Sequence, residues 1–189
     1  IDYDILDFKT EDSPFEVSIL GNSFSFDGLT LDMVHDDLAL NGSISFQDMT
    51  PIKSTILQPN IMGYFSYIPY MECNHGILSM NHSLTGGLNI NGTHVDFTGG
   101  KGYIEKDWGR SFPSKYIWIH SNHFNNPTVS LFCSIAKIPF GLFSFTGFIC
   151  NFIHRGIEYR FATYNRSKLT IKDIDIVELN EAFASQSLA

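Results

Sequence analysis

Apolar and polar residues alternate singly over much of the chain, the period of a half-buried β-strand. Phe15, Val17 and Ile19 alternate with Glu16 and Ser18. After a Gly21-Asn22 turn the alternation resumes over residues 23–26. Asp27-Gly28 and Asn41-Gly42 read as hairpin dipeptides separating strands at 29–35, 38–40 and 43–46. Further strands are expected at 76–84, 88–90, 93–98 and 102–106, with Gly86-Gly87 bending or turning the chain and Asn91-Gly92 a strong type I′ signal. Strands at 116–123, 128–137, 142–153 and 158–164 complete the series, with turns at Asn125-Asn126-Pro127 and Arg155-Gly156. Between them, residues 47–70 carry Pro51, Pro59, Gly63 and Pro69, which break any regular element. The aromatics there (Tyr64, Phe65, Tyr67 and Tyr70) make this a covering or rim segment. The tail from Ile174 to Ala189 changes period: Val177, Leu179, Ala182, Phe183 and Leu188 predict a short C-terminal helix. Many short strands with Gly/Asn turns predict an all-β antiparallel barrel or sandwich.

Composition sharpens this picture. The chain has 189 residues, enough for one domain with a core of its own. It is 14% aromatic, with 17 Phe and 8 Tyr, and only 17% charged, which suits pleated surfaces with more apolar lining than a tight core uses. The formal net charge of −8 argues against a nucleic-acid partner, which needs a basic stripe, and against electrostatic docking on anionic lipid. No apolar window reaches the ~18 residues of an integral membrane span. Cys73, Cys133 and Cys150 are an odd number without C-x-x-C spacing, so neither a disulfide framework nor a zinc site is expected, and a reducing, cytoplasmic setting is. The chain opens at Ile1 without an initiator Met, so a fragment is expected.

Two clusters carry candidate chemistry. In the run from Gly99 to Pro113, strand geometry puts Tyr103, Glu105 and Asp107 on one face and Ile104, Lys106 and Trp108 on the other. Two carboxylates and a phenol on one face are costly if buried without partners. Facing a cavity, one carboxyl can be kept protonated as a general acid, with Arg110 keeping the other ionised. The same charges also suit a solvated turn with surface ion pairs. The second cluster is Glu72, Cys73, Asn74 and His75, followed by Ser79 and His82. Glu72 reads as a second acid and His75 as a hydrogen-bond partner. His75 and His82 face opposite ways in an unbroken strand, so no metal site is expected. The rings of Trp108, Phe112, Tyr116 and Trp118 suit either ordinary packing or an isoprenoid chain and a developing carbocation.

The motifs in these clusters resemble the tocopherol cyclase-like family, particularly its bacterial, clostridial-type members. The resemblance rests on Met-Glu-Cys-Asn-His-Gly at 71–76, Ser-Met-Asn-His at 79–82, the run from Asp96 to Gly109 and Ser-Phe-Pro at 111–113. Tyr-Ile-Trp-Ile at 116–119, Asn122-His123-Phe124 and residues 159–165 extend it, covering roughly residues 1–170. It implies a lipocalin-like fold of two β lobes related to carotenoid hydratases, here expected to be incomplete for want of N-terminal strands. It also implies ring closure of a prenylated phenol or quinol without metal or redox cofactor: an acid protonates the prenyl alkene and the phenol oxygen attacks the cation. Carried onto this sequence, Asp107 or Glu105 is the proton donor, Trp108 the cation-facing ring and Tyr103 a catalytic neighbour. Glu72, His75, His82, Arg110, Phe112, Trp118 and Asn122 become substrate-binding residues. Residues 171–189 resemble instead the Asn-Glu-Ala-Phe segment of thiolases, although a thiolase nucleophile context is missing. The competing reading is a non-catalytic lipocalin-like binder of an apolar ligand, or an inactive fragment. Oligomeric state is not legible.

Overall fold

The computed structural model describes residues 2–69, 71–140 and 143–170. The expected C-terminal helix and thiolase-like tail lie outside the described residues. Every strand pairing is antiparallel, as the alternation predicts. Five strands form a meander: β1 (Phe8–Asp12), β2 (Phe15–Ile19), β3 (Asn22–Ser25), β4 (Gly28–His35) and β5 (Leu38–Gln47). The long β6 (Cys73–Ile90) follows, flanked along one edge by β7 (Thr93–Asp96) and β8 (Lys101–Gly109). A second sheet holds β9 (Tyr116–Ser121), β10 (Ser130–Phe140), β11 (Phe143–His154) and β12 (Ile157–Ala162), in the order β12-β11-β10-β9. Among the described residues these are two open sheets facing across a core, a sandwich rather than a closed barrel.

Two expected turns form as hairpin chemistry dictates, with left-handed φ at Asn91 and Gly92 (50° and 81°) and at Arg155 and Gly156 (51° and 72°). Asn41-Gly42 does not turn. β5 runs straight through it, and a Cβ on Gly42 would lie 2.3 Å from the Gly87 carbonyl oxygen of β6. Glycine there permits close approach of two backbones, its other use in a strand. Gly86-Gly87 likewise lies inside β6 rather than ending it.

The core joins Ile77 and Met80 of β6 to Phe132 of β10 and Ile153 of β11. Ile61 and Met62, from the irregular segment between β5 and β6, complete it. That segment is therefore a cover, as its composition predicts, and three devices tie it down. Where β6 bulges between Ile77 and His82, Thr50 accepts the Met80 N–H at 2.8 Å and donates to Asn81 at 3.0 Å. Arg160 on β12 donates to the Lys53 carbonyl at 2.7 Å and forms a buried ion pair with Glu158 at 2.5 Å. Gly63 (φ 58°) lies flat against the Tyr164 ring, whose hydroxyl donates to the Ile61 carbonyl at 2.9 Å.

Candidate functional site

The site begins with a strand register. β6 and β8 pair so that His75 stands directly opposite Asp107, and Ile77 opposite Glu105. Cross-strand partners share a face, and every second residue of β8 repeats it, so Tyr103, Glu105 and Asp107 project together toward the second sheet. Residues 32 positions apart thus meet: His75 Nδ1 and Asp107 Oδ1 share a short hydrogen bond. The imidazole lies flat on Phe132, ring centroids 4.9 Å apart and planes 12° from parallel, which fixes its orientation. Its other nitrogen, Nε2, stands 3.3 Å from Glu105 Oε2, an ion-pair distance. The line of approach is not that of an N–H···O bond, so this buried nitrogen lacks a hydrogen-bond partner among the described residues.

Glu105 is held from two more directions. Tyr103 donates its hydroxyl to Oε2 at 2.5 Å, and Trp118 of β9 donates its indole N–H to the same oxygen at 3.1 Å, bridging the two sheets. Tyr103 stacks on His120 with centroids 3.7 Å apart. Burial, then the bond to Glu105, then the charges of Glu105 and Asp107 raise the Tyr103 phenol far above its usual range, so it stays a donor. The result is a chain of polar groups: Tyr103 and Trp118 on Glu105, then His75, then Asp107.

This chain ends at a cavity of about 450 Å³, within the ~300–1,000 Å³ of small-molecule sites. His75 and Asp107 line it; Glu105 and Tyr103 stand behind them. The remaining wall is mainly apolar: Met62, Phe65 and Met71 from the cover, Ile138 from β10, Phe145 and Ile149 from β11. Glu72, Phe112 and Trp118 also line it. The two carboxylates are neither splayed into solvent nor sealed from it: their side chains are 23% (Glu105) and 29% (Asp107) exposed.

Four expected site residues fall elsewhere. Trp108 lies on the opposite face of β8, its ring over Gly76 and 4.9 Å from the Lys106 ammonium. Strand alternation already put it there; its place in the motif suggested the cavity, and alternation wins. Trp118, by contrast, is on the cavity wall. His82 is buried beneath Phe46 and against Gly102, with Nδ1 3.1 Å from Ser79 Oγ, and burial lowers its pKa. It packs the large sheet and does not line the cavity. Asn122 is buried too, donating to the Gly102 carbonyl at 3.0 Å and accepting Lys101 Nζ at 2.9 Å on its own carbonyl, so it anchors β8. Arg110 is exposed just past β8, its backbone N–H bonded to Glu72. It is not part of the cavity wall.

The ligand atoms of His75, Glu105 and Asp107 all lie within 4.8 Å of one another, a donor set able to hold a cation, against the expectation that no metal site exists. Sequence reasoning missed that cluster because it sought histidine spacings within one strand. It also missed Met62, Met71 and Ile138, whose place in the wall depends on how the cover and second sheet are laid down.

The sequence model of the family described as tocopherol cyclase-like matches residues 43–171. A probable chloroplastic tocopherol cyclase from Oryza sativa subsp. japonica is 30% identical over 71 residues, 38% of this chain and 15% of that protein. The chloroplastic tocopherol cyclase from Zea mays is 31% identical over 67 residues, 35% of this chain and 14% of that protein. The chain therefore matches only a small part of these relatives' length. No solved structure matches it.

Proposed function

The chain belongs to the tocopherol cyclase-like family, and from that premise we propose that its cavity binds a prenylated phenol or quinol whose ring closure starts with a proton from Asp107. The observation that carries this reading is the polar chain ending at Asp107 in a wall otherwise built of rings and aliphatic side chains. A binder of an apolar ligand has no use for two carboxylates bridged by an imidazole at that wall.

The reaction needs one proton moved and returned. Protonated Asp107 gives its proton to the less substituted alkene carbon, and the alkene electron pair forms the new C–H bond. The tertiary cation that results sits among ring faces, of which Trp118 and Phe112 line the cavity. The phenol oxygen forms the C–O bond, its O–H bond breaks, and the released proton returns to Asp107 directly or by way of His75. Substrate and product are isomers, so no co-reactant is consumed. Glu105, fixed by Tyr103 and Trp118, is a positioning residue: it sits beside His75 Nε2 and orients the ring that serves Asp107.

The test is Asp107→Asn, assayed for chromanol formation from a prenylated hydroquinone, with ligand binding followed by Trp118 fluorescence. Loss of general acid catalysis lowers turnover by about 10²–10⁴-fold, with binding retained. Unchanged turnover eliminates Asp107 as the acid, and binding by the native chain without product leaves a carrier of apolar ligands. Dialysis against a chelator leaves turnover intact; loss restored by a divalent cation would assign His75, Glu105 and Asp107 to a metal instead.

A further inference from the structure

On the small sheet, away from the polar chain, Cys133 of β10 and Cys150 of β11 are directly opposed in an antiparallel register. Opposed residues have Cα atoms about 4.5 or 5.5 Å apart, both inside the range that a disulfide spans without backbone movement. Both cysteines are free and only half-buried. The row continues through Ile119 on β9 and Phe161 on β12, both exposed, so a small oxidant reaches the pair over an apolar surface without a charged residue at the paired positions. We propose that Cys133 and Cys150 form a redox-active dithiol, a modification site that closes to a cross-strand disulfide when the chain meets a low-molecular-weight disulfide such as oxidised glutathione.

The two thiols titrate as a pair, so loss of a proton from one holds the proton on the other. Either thiol can attack first and leave the other to resolve, by the same steps. In the route that begins at Cys133, Cys133 Sγ attacks a sulfur of oxidised glutathione; the S–S bond breaks, a Cys133–glutathione disulfide forms and one glutathione thiolate leaves. Once Cys133 is capped, Cys150 is relieved of the neighbouring charge. It gives up its proton and attacks Cys133 Sγ, releasing the second glutathione. Two electrons pass from the protein dithiol to the added disulfide, and two protons go to the two glutathiones. The third cysteine, Cys73 at the cavity, has no such partner: burial first, then Asp107 and Glu72, raise its pKa and keep it a thiol.

The new bond joins strands whose alternate residues, Ser134 and Ile149, line the cavity on the opposite face. The experiment is incubation of the full chain with oxidised glutathione, followed by intact mass and peptide mapping. The expected product is lighter by two hydrogens, carries no glutathione and yields a Cys133–Cys150 linked peptide pair. Cys150→Ser is expected to stop at one glutathione per chain, on Cys133, and Cys133→Ser to stop at one glutathione, on Cys150. Stable glutathione on both cysteines, preferential labelling of Cys73, or no reaction of the native chain overturns the proposal.

Discussion

Replacing Tyr103 by Phe removes one oxygen from the polar chain and leaves the ring that stacks on His120 in place. Near neutrality the cost is that of a hydrogen bond to a carboxylate, about 1.5–3 kcal/mol, at the lower end because Trp118 still donates to Glu105. At alkaline pH this advantage shrinks. In the folded chain the phenol is held far above its ordinary value of 10, chiefly by burial and then by Glu105. The unfolded chain loses this proton near pH ~10. Above that, the folded state binds the extra proton, so the contribution of Tyr103 is complete below the unfolded value and is lost as pH rises. Each such group tilts stability by about 1.4 kcal/mol per pH unit. Tyr164, raised mainly by burial, supplies a second tilt that the variant keeps. Native and variant stability curves therefore converge from pH ~9 upward, and by pH ~11 the gap has shrunk by about 1.4 kcal/mol. Urea denaturation at a series of pH values, read by tryptophan fluorescence, measures this. Curves that stay parallel would mean that Tyr103 ionises as a solvated phenol and does not donate to Glu105.

Three further outcomes follow from the packing. Gly102→Ala puts a Cβ 2.0 Å from Nε2 of buried His82, which Phe46 and Ser79 hold in place; the expected cost is about 1–3 kcal/mol, partly recovered in the His82→Ala double variant, whereas additive losses in urea denaturation refute the clash. His82 is kept neutral by burial, its pKa below the usual 6.5, so the unfolded state binds more protons as pH falls. Its contribution is complete above pH ~6.5 and lost below, and the acid limb of thermal stability becomes shallower in His82→Gln, with the burial-lowered His120 supplying the remainder. Glu158→Gln removes the negative charge opposite the buried Arg160 guanidinium and leaves one acceptor oxygen where Arg160 and the Lys53 backbone N–H (2.6 Å) each had their own; the expected loss is about 3–5 kcal/mol in denaturation, and a loss no larger than that of a surface pair would show that the cover is not tied down there.

The fold was legible wherever local pattern and local structure coincide. Alternation located most strands, and Asn91-Gly92 and Arg155-Gly156 turn because positive φ at two successive residues is what their hairpins need. Asn41-Gly42 misled for a physical reason: the same dipeptide suits a turn and a close strand crossing, and the choice depends on Gly87, 45 residues later in the chain. β1 was not foreseen because it is exposed throughout and has no alternation to read. The Arg160–Glu158 pair was hidden likewise, since its partners Lys53, Gln58 and Asn60 lie about a hundred residues upstream.

The site divides along the same line. Strand period alone put Tyr103, Glu105 and Asp107 on one face, and it also put Trp108 on the other, a result that motif neighbourhood could not override. It could not say that the two carboxylates do different things. That follows from register: β6 sets His75 opposite Asp107 and not opposite Glu105, so the imidazole leans on the outer carboxylate and the inner one falls to Tyr103 and Trp118. A one-residue slip of β8 against β6 would move all three acidic-face residues to the side of Trp108. The bulges between Ile77 and His82, closed by Thr50, hold that register against a slip. The chemistry of the polar chain and the placement of the cover therefore rest on one backbone feature: Thr50, at the start of the segment that contributes Met62, Phe65 and Met71 to the cavity, is bonded to the strand carrying His75.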